Sequence, residues 1–228
     1  MKQIPGQLAE AARWLIEAIS GLSLRRDTAP IGTAQRVFQF VSTRAALVTQ
    51  KKLYGYLKER MGMAYPKAFD DERFVRSINI AKMHVFAASL SDLTVHAIAH
   101  IAAASDLDRS ERSRMALECF RSGLADNADA TIDKSVVTKW LADFDQRLDG
   151  IRWEAIAGGA TSFTESPKAI VEWAPIAEEL KKHDRDIVHN SMRFAWNEIR
   201  EDFRNRLDAR AVVSDWRARV SRGSSEHR

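Results

Sequence analysis

The stretch from Val85 to Ala104 limits what this chain can fold into more than any other. It is rich in alanine and almost free of charge, so a helix made from it has no broad polar face to turn toward water. Other elements must cover it on most sides, which places it in the middle of a bundle. The helical pattern reaches back to Asp70 or Asp71 and forward to Ser105.

The rest of the chain reads the same way. Pro5 to Ser20 is apolar at Leu8, Ala12, Leu15, Ile16 and Ile19, one side of a helix that Gly21 ends. Thr33 is a cap for a second helix through Phe38, Val41, Leu47, Leu53 and Leu57 to about Gly62, with a weak point at Gly55. Pro66 breaks the chain again. Asp108 and Glu111 have the spacing of a helix start, and another helix carries Ile132, Val136, Trp140, Phe144 and Leu148 before Gly150. From Gly150 to Glu165 the pattern is irregular, with room for a turn and a short extended piece. Ser166-Pro167 predicts the next helix start. A last, long amphipathic helix is expected to run to about residue 220, with Trp196, Ile199, Phe203 and Leu207 buried and Arg200, Arg204 and Arg206 exposed. No set of alternating strand positions and no internal repeat is present. The expected fold is all-α, a single-domain helical bundle over residues 1–220 with long central and C-terminal helices, then a frayed basic tail at 221–228.

Composition narrows the function classes. Hydrophobic residues at 45% and charged residues at 29% describe a globular chain with enough length for a full core. The net charge of +4 admits nucleic acid without requiring it. Twelve Lys/Arg against eight Asp/Glu lie between Lys181 and Arg228, so an anionic ligand is expected to meet the C-terminal part. The single cysteine, Cys119, excludes an intramolecular disulfide and a cysteine-based zinc cage, and is expected to be a small buried hydrophobe. Charges at Glu10, Arg13 and Glu17 argue against a signal peptide, and no run of about 20 uncharged apolar residues suggests a membrane span. A soluble, cytoplasmic protein is the expectation.

Phosphate-loop, dinucleotide-binding, serine-hydrolase and zinc-protease motifs are absent. Asp92, His96 and His100 recur every four residues, a spacing at which two imidazoles and a carboxylate can share a metal ion. The pair lies on the flank of the buried face defined by Leu90, Leu93, Ala97 and Ile101, with no third-helix ligand in view. Interhelical hydrogen bonding is therefore expected there, with metal binding as the alternative. Lys51-Lys52 and Arg25-Arg26 are read as solvated surface.

The densest ionisable cluster is Lys181-Lys182-His183-Asp184-Arg185-Asp186-Ile187-Val188-His189-Asn190, at the mouth of the last helix. Arg185 and His189 are four apart and project from one face. Arginine keeps its charge at any working pH, and histidine as a residue type exchanges protons near neutrality, a combination suited to holding and protonating a phosphate. Arg185-Asp186-Ile187-Val188-His189-Asn190, leading into a long helix of an all-α domain, resembles the signature of the HEPN superfamily. The order of an alanine-rich central helix, a short helix and the signature helix is similar to its abortive-infection branch, over about residues 70–220.

The resemblance implies a metal-independent ribonuclease or toxin, or a degenerate RNA-binding relative, in a defence or toxin–antitoxin setting. His189 would be acid and base, Arg185 the phosphate ligand, and Asn190, Lys182 and Arg193 supporting substrate contacts. It also implies a homodimer, RNA and a cognate protein as partners, and no cofactor. The other reading is a non-catalytic helical module that binds a protein partner or its own copy. The spacing departs from the family, which places at least four residues between Arg and His and most often has Arg where this chain has Asp184. That carboxylate is expected to weaken phosphate binding unless Arg185 replaces the missing cation.

Overall fold

A computed structural model describes residues 27–159 and 161–225. The helix expected over residues 5–20 lies outside them, as do Arg25 and Arg26. Helix α1 spans Ala34–Met61. The Thr33 hydroxyl accepts from the Arg36 N–H at 3.2 Å, and Gly62, at φ 51, turns the chain out of the helix in a left-handed conformation that glycine adopts without strain. The helix continues through Gly55. A 3-10 turn, Gly62–Ala64, and short α2, Tyr65–Ala68, lead to central helix α3, Glu72–Ala103, capped by Asp71. Then come α4 (Arg109–Asp126), α5 (Lys134–Asp149), α6 (Trp153–Ala157), α7 (Glu165–Trp173), α8 (Glu178–Lys181), α9 (Arg185–Arg206) and α10 (Ala209–Ser225). Asp108 and Glu111 close a full capping box at the start of α4, each accepting from the other's backbone N–H.

Helix α3 is the axis, with α1, α4, α6 and α7 packed around it. Val85, Leu90, Leu93, Val95, Ala97, Ile98 and Ile101 are fully buried, as the almost uncharged second half of the helix requires. By length and composition α3 alone among the described helices could cross a membrane, and 89% of its apolar window is buried inside the bundle. Among the described residues there is no strand, only one isolated parallel bridge between Ile31 and Leu207. The all-α bundle is therefore the fold.

That bridge accounts for the main departure from expectation. The long final helix is two, α9 and α10. The Ile31 N–H donates to the Arg206 carbonyl at 2.8 Å and the Asp208 N–H donates to the Ile31 carbonyl at 3.0 Å, so the segment before α1 supplies backbone partners at the break. Asp208 then caps α10, accepting from the Ala211 N–H at 3.1 Å. Trp196, Ile199 and Phe203 are buried as expected, whereas Leu207, at the break, is only half-buried. Arg204 is exposed, but Arg200 is half-buried. Arg206 is drawn in by Asp27, Asp202 and the Ala29 carbonyl, leaving its side chain 9% exposed.

Smaller corrections follow from local contacts. The stretch 150–165 contains α6 rather than an extended piece, because Trp153 and Ile156 bury against the core. Helix α7 begins at Glu165, and Ser166 is inside it, fully buried. Helix α10 continues to Ser225, through most of the stretch read as a frayed tail.

Candidate functional site

The cluster at 181–190 sorts into side chains that build the mouth of α9 and side chains that it presents. Lys181 is buried: its ammonium donates to the carbonyls of Glu172 and Ala174, both at 3.4 Å, and pairs with Glu178 at 2.6 Å. It thereby ties the turn after α7 to α8. Asp184 is 1% exposed. Its carboxylate accepts from the Tyr56 hydroxyl at 2.6 Å and pairs with the Arg60 guanidinium, both on α1. The Val188 side chain is buried one turn further on.

This corrects the expectation about Asp184. The carboxylate is not presented on the surface with Arg185 and His189; it is turned into the protein and matched by Arg60. Consequently no side chain caps α9, whose first N–H groups lack the usual carboxylate or hydroxyl acceptor. The sequence reading missed Tyr56 and Arg60. With Lys52 they recur at steps of four, a polar strip along α1 that could have marked them as facing something charged.

The presented residues are Lys182, Arg185, His189, Asn190 and Arg193, all exposed. Arg185, His189 and Arg193 occupy successive turns of one strip of α9. Among the described residues, the side chains of Arg185 and His189, both within α9, make no hydrogen bond or ion pair. The Arg193 guanidinium lies 5.8 Å from the Phe194 ring centre. Asn190 stands on the next strip with Ile187 and Phe194, which are 62% and 66% exposed. Lys182 precedes the helix, at the end of α8. The structure thus aligns Arg185, His189 and Arg193 and leaves Asn190 and Lys182 to either side.

On the other flank of α9 a cavity of about 480 Å³ is lined by Lys52, Tyr56, Arg60, Ile187 and Met192. Lys52 is not simple solvated surface: its ammonium donates to the Ser191 hydroxyl at 3.0 Å. Burial, and then neighbouring Lys51, lower its pKa.

The Asp92–His96–His100 trio does not converge on one point. Asp92 accepts from the backbone N–H groups of Thr164, Glu165 and Ser166 and from the Ser166 hydroxyl, and it pairs with Arg147 at 2.9 Å. It caps α7 from a neighbouring helix. Burial pushes its pKa up, and Arg147 and Ser166 oppose that. The two imidazole rings lie 4.3 Å apart, and the expected interhelical hydrogen bonding fails at His96 Nε2, which is buried without a partner. Among the described residues no group of three His, Cys, Asp or Glu is placed to hold a metal ion. Cys119 is fully buried, and burial raises its thiol pKa to about 12.

Comparisons with protein-family models, with curated proteins and with solved structures find no match to this chain.

Proposed function

We propose that this chain is a HEPN-like RNA-binding protein that works as a homodimer and cleaves RNA slowly without a metal. One observation carries the reading. Arg185 and His189 stand unengaged on one strip of an uncapped helix start, while the carboxylate that would repel a phosphate there is withdrawn to Tyr56 and Arg60. Arg185 supplies a fixed positive charge and fork-like donors for a phosphodiester, and His189, one turn away, moves a proton to or from the ribose oxygens. Backbone N–H groups at the start of α9 add a favourable field for an anion.

Both side chains are open to water, where electrostatic help to a transition state is weak. A second copy would exclude that water, and exposed Ile187 and Phe194 beside the pair offer apolar surface for such a contact. Weak binding and slow turnover follow from a site that is assembled only on association. The same apolar residues, with Leu180 at 56% exposure, favour the second reading, a non-catalytic module that docks a protein partner.

Titration of a fluorescent single-stranded RNA separates the two. Arg185→Ala is expected to weaken RNA binding by about tenfold, the worth of one charge-assisted hydrogen-bonded contact. Unchanged RNA affinity in Arg185→Ala, or no measurable RNA binding by the wild type, would favour the protein-docking reading.

A further inference from the structure

Helices α3 and α9 bring together two histidines and two arginines that the site at the mouth of α9 does not use. His96 is 2% exposed, and its Nε2 has no hydrogen-bond partner. Its ring lies 5.4 Å from Phe163, and the Arg200 guanidinium stands 5.8 Å from the centre of the same Phe163 ring. Arg200 Nε is likewise buried without a partner. His100 extends the group one turn along α3, its ring 4.3 Å from that of His96, and Arg204 extends it one turn along α9. Phe163 forms the floor, stacked on Trp196 at 4.8 Å, whose indole N–H donates to the Ser166 hydroxyl at 3.3 Å. The group is closed at His96 and open at exposed Arg204.

Its charge is uncompensated. Among the described residues neither Arg200 nor Arg204 has an ion-pair partner, and the charges acting on the imidazoles are those of the two arginines and of one imidazole on the other, with no carboxylate contributing. Burial first, then these cations, hold both imidazoles neutral, His96 with its pKa lowered to about 2. Buried polar atoms ordinarily find partners, yet His96 Nε2 and Arg200 Nε, the latter part of one of the two guanidiniums without an ion-pair partner, have none among the described residues. A divalent metal would be repelled by the arginines. An anionic phosphate group would offset their charge.

We infer that His96, His100, Arg200 and Arg204 form a binding site for a phosphate group, between the C-terminal half of α3 and the latter part of α9. Two guanidiniums one turn apart match the oxygens of a tetrahedral phosphate group, and a neutral imidazole offers one N–H donor. The phosphate is that of a free phosphate or nucleotide, or one phosphodiester of a bound RNA. The site does not depend on the reading of Arg185 and His189.

Thermal unfolding with increasing inorganic phosphate, at ionic strength held constant with chloride, tests it. A saturable rise in Tm is expected for the wild type and for Arg185→Ala and His189→Ala alike, because a ligand of the native state stabilises it. The response should require about tenfold more phosphate in Arg200→Gln or Arg204→Gln and should vanish in the double variant. Circular dichroism checks that the double variant is folded. Arg200→Lys/Arg204→Lys, which keeps the charge, is the second variant and should retain a weakened response. Single-stranded RNA is titrated in parallel: loss of RNA affinity along with phosphate in the double variant assigns the site to a backbone phosphodiester, and loss of phosphate alone assigns it to a free phosphate or nucleotide. A phosphate response equal in the wild type and the folded double variant, or no saturable response in the wild type, would overturn the proposal.

Discussion

Asp92 shows how much one side chain can hold together. It is fully buried on α3, yet it caps the first turn of α7 and pairs with Arg147, which also donates to the Ser91 hydroxyl at 2.6 Å and to the Ser162 carbonyl at 2.7 Å. Removing one partner of a buried ion pair leaves the other uncompensated, so Asp92→Ala is expected to lose about 3–5 kcal/mol in denaturant unfolding. A loss under about 1 kcal/mol would mean the pair is not what anchors α7. The histidines make a pH prediction. Burial lowers the His84 pKa from 6.5 to about 4 and that of His96 to about 2, and lowers that of His100 as well. The unfolded chain therefore takes up protons first as pH falls below 6.5, and stability falls with it, His84 contributing down to about 4 and His96 further. The charged groups facing His96 are Arg200 and Arg204, with His100 beside it; all act in the same direction. Thermal melts across this window should fall less steeply for His96→Leu than for the wild type, and parallel profiles would contradict the assignment. In sequence, Asp92 and the histidines share a metal-like spacing. Only the fold reveals that the carboxylate turns to a helix start more than seventy residues away, because which partners claim a side chain is a long-range fact.

At the scale of elements, the apolar face of α9 carries the packing. Phe203 is fully buried against Phe40, ring centres 5.3 Å apart, so Phe203→Ala is expected to cost about 3–5 kcal/mol. Leu207→Ala should cost clearly less, since the break leaves Leu207 half-buried; equal losses in denaturant unfolding would argue for a continuous helix. Thr33, Asp71 and the Asp108/Glu111 pair were readable as starts because capping is local chemistry between residues two or three apart. The break at Leu207 was not, because apolar residues recur on both sides of it: Phe203 before, Val212 and Trp216 after, all fully buried. It is made by Ile31, distant in sequence and paired only through backbone. Ser166 misled for the opposite reason. Its side chain has the right chemistry for a cap, but that role is filled by Asp92 from another helix.

For the whole molecule, a bundle centred on α3 carries a helix mouth that presents Arg185 and His189 outward. The motif was legible because it is contiguous; the withdrawal of Asp184 was not, because Tyr56 and Arg60 lie over a hundred residues earlier. Association through the strip beside the pair predicts a dimer in sedimentation that Phe194→Asp converts to monomer without loss of helical content, since Phe194 is 66% exposed and packs little within the chain. A dimer that survives this change would place the contact elsewhere. The most direct measurement is cleavage of a single-stranded RNA by purified protein in excess EDTA. Slow cleavage is expected, indifferent to the chelator, and lost in His189→Ala while circular dichroism shows the fold intact. Fast cleavage that persists in His189→Ala, or cleavage that needs a divalent metal, would put the active site elsewhere and contradict the account.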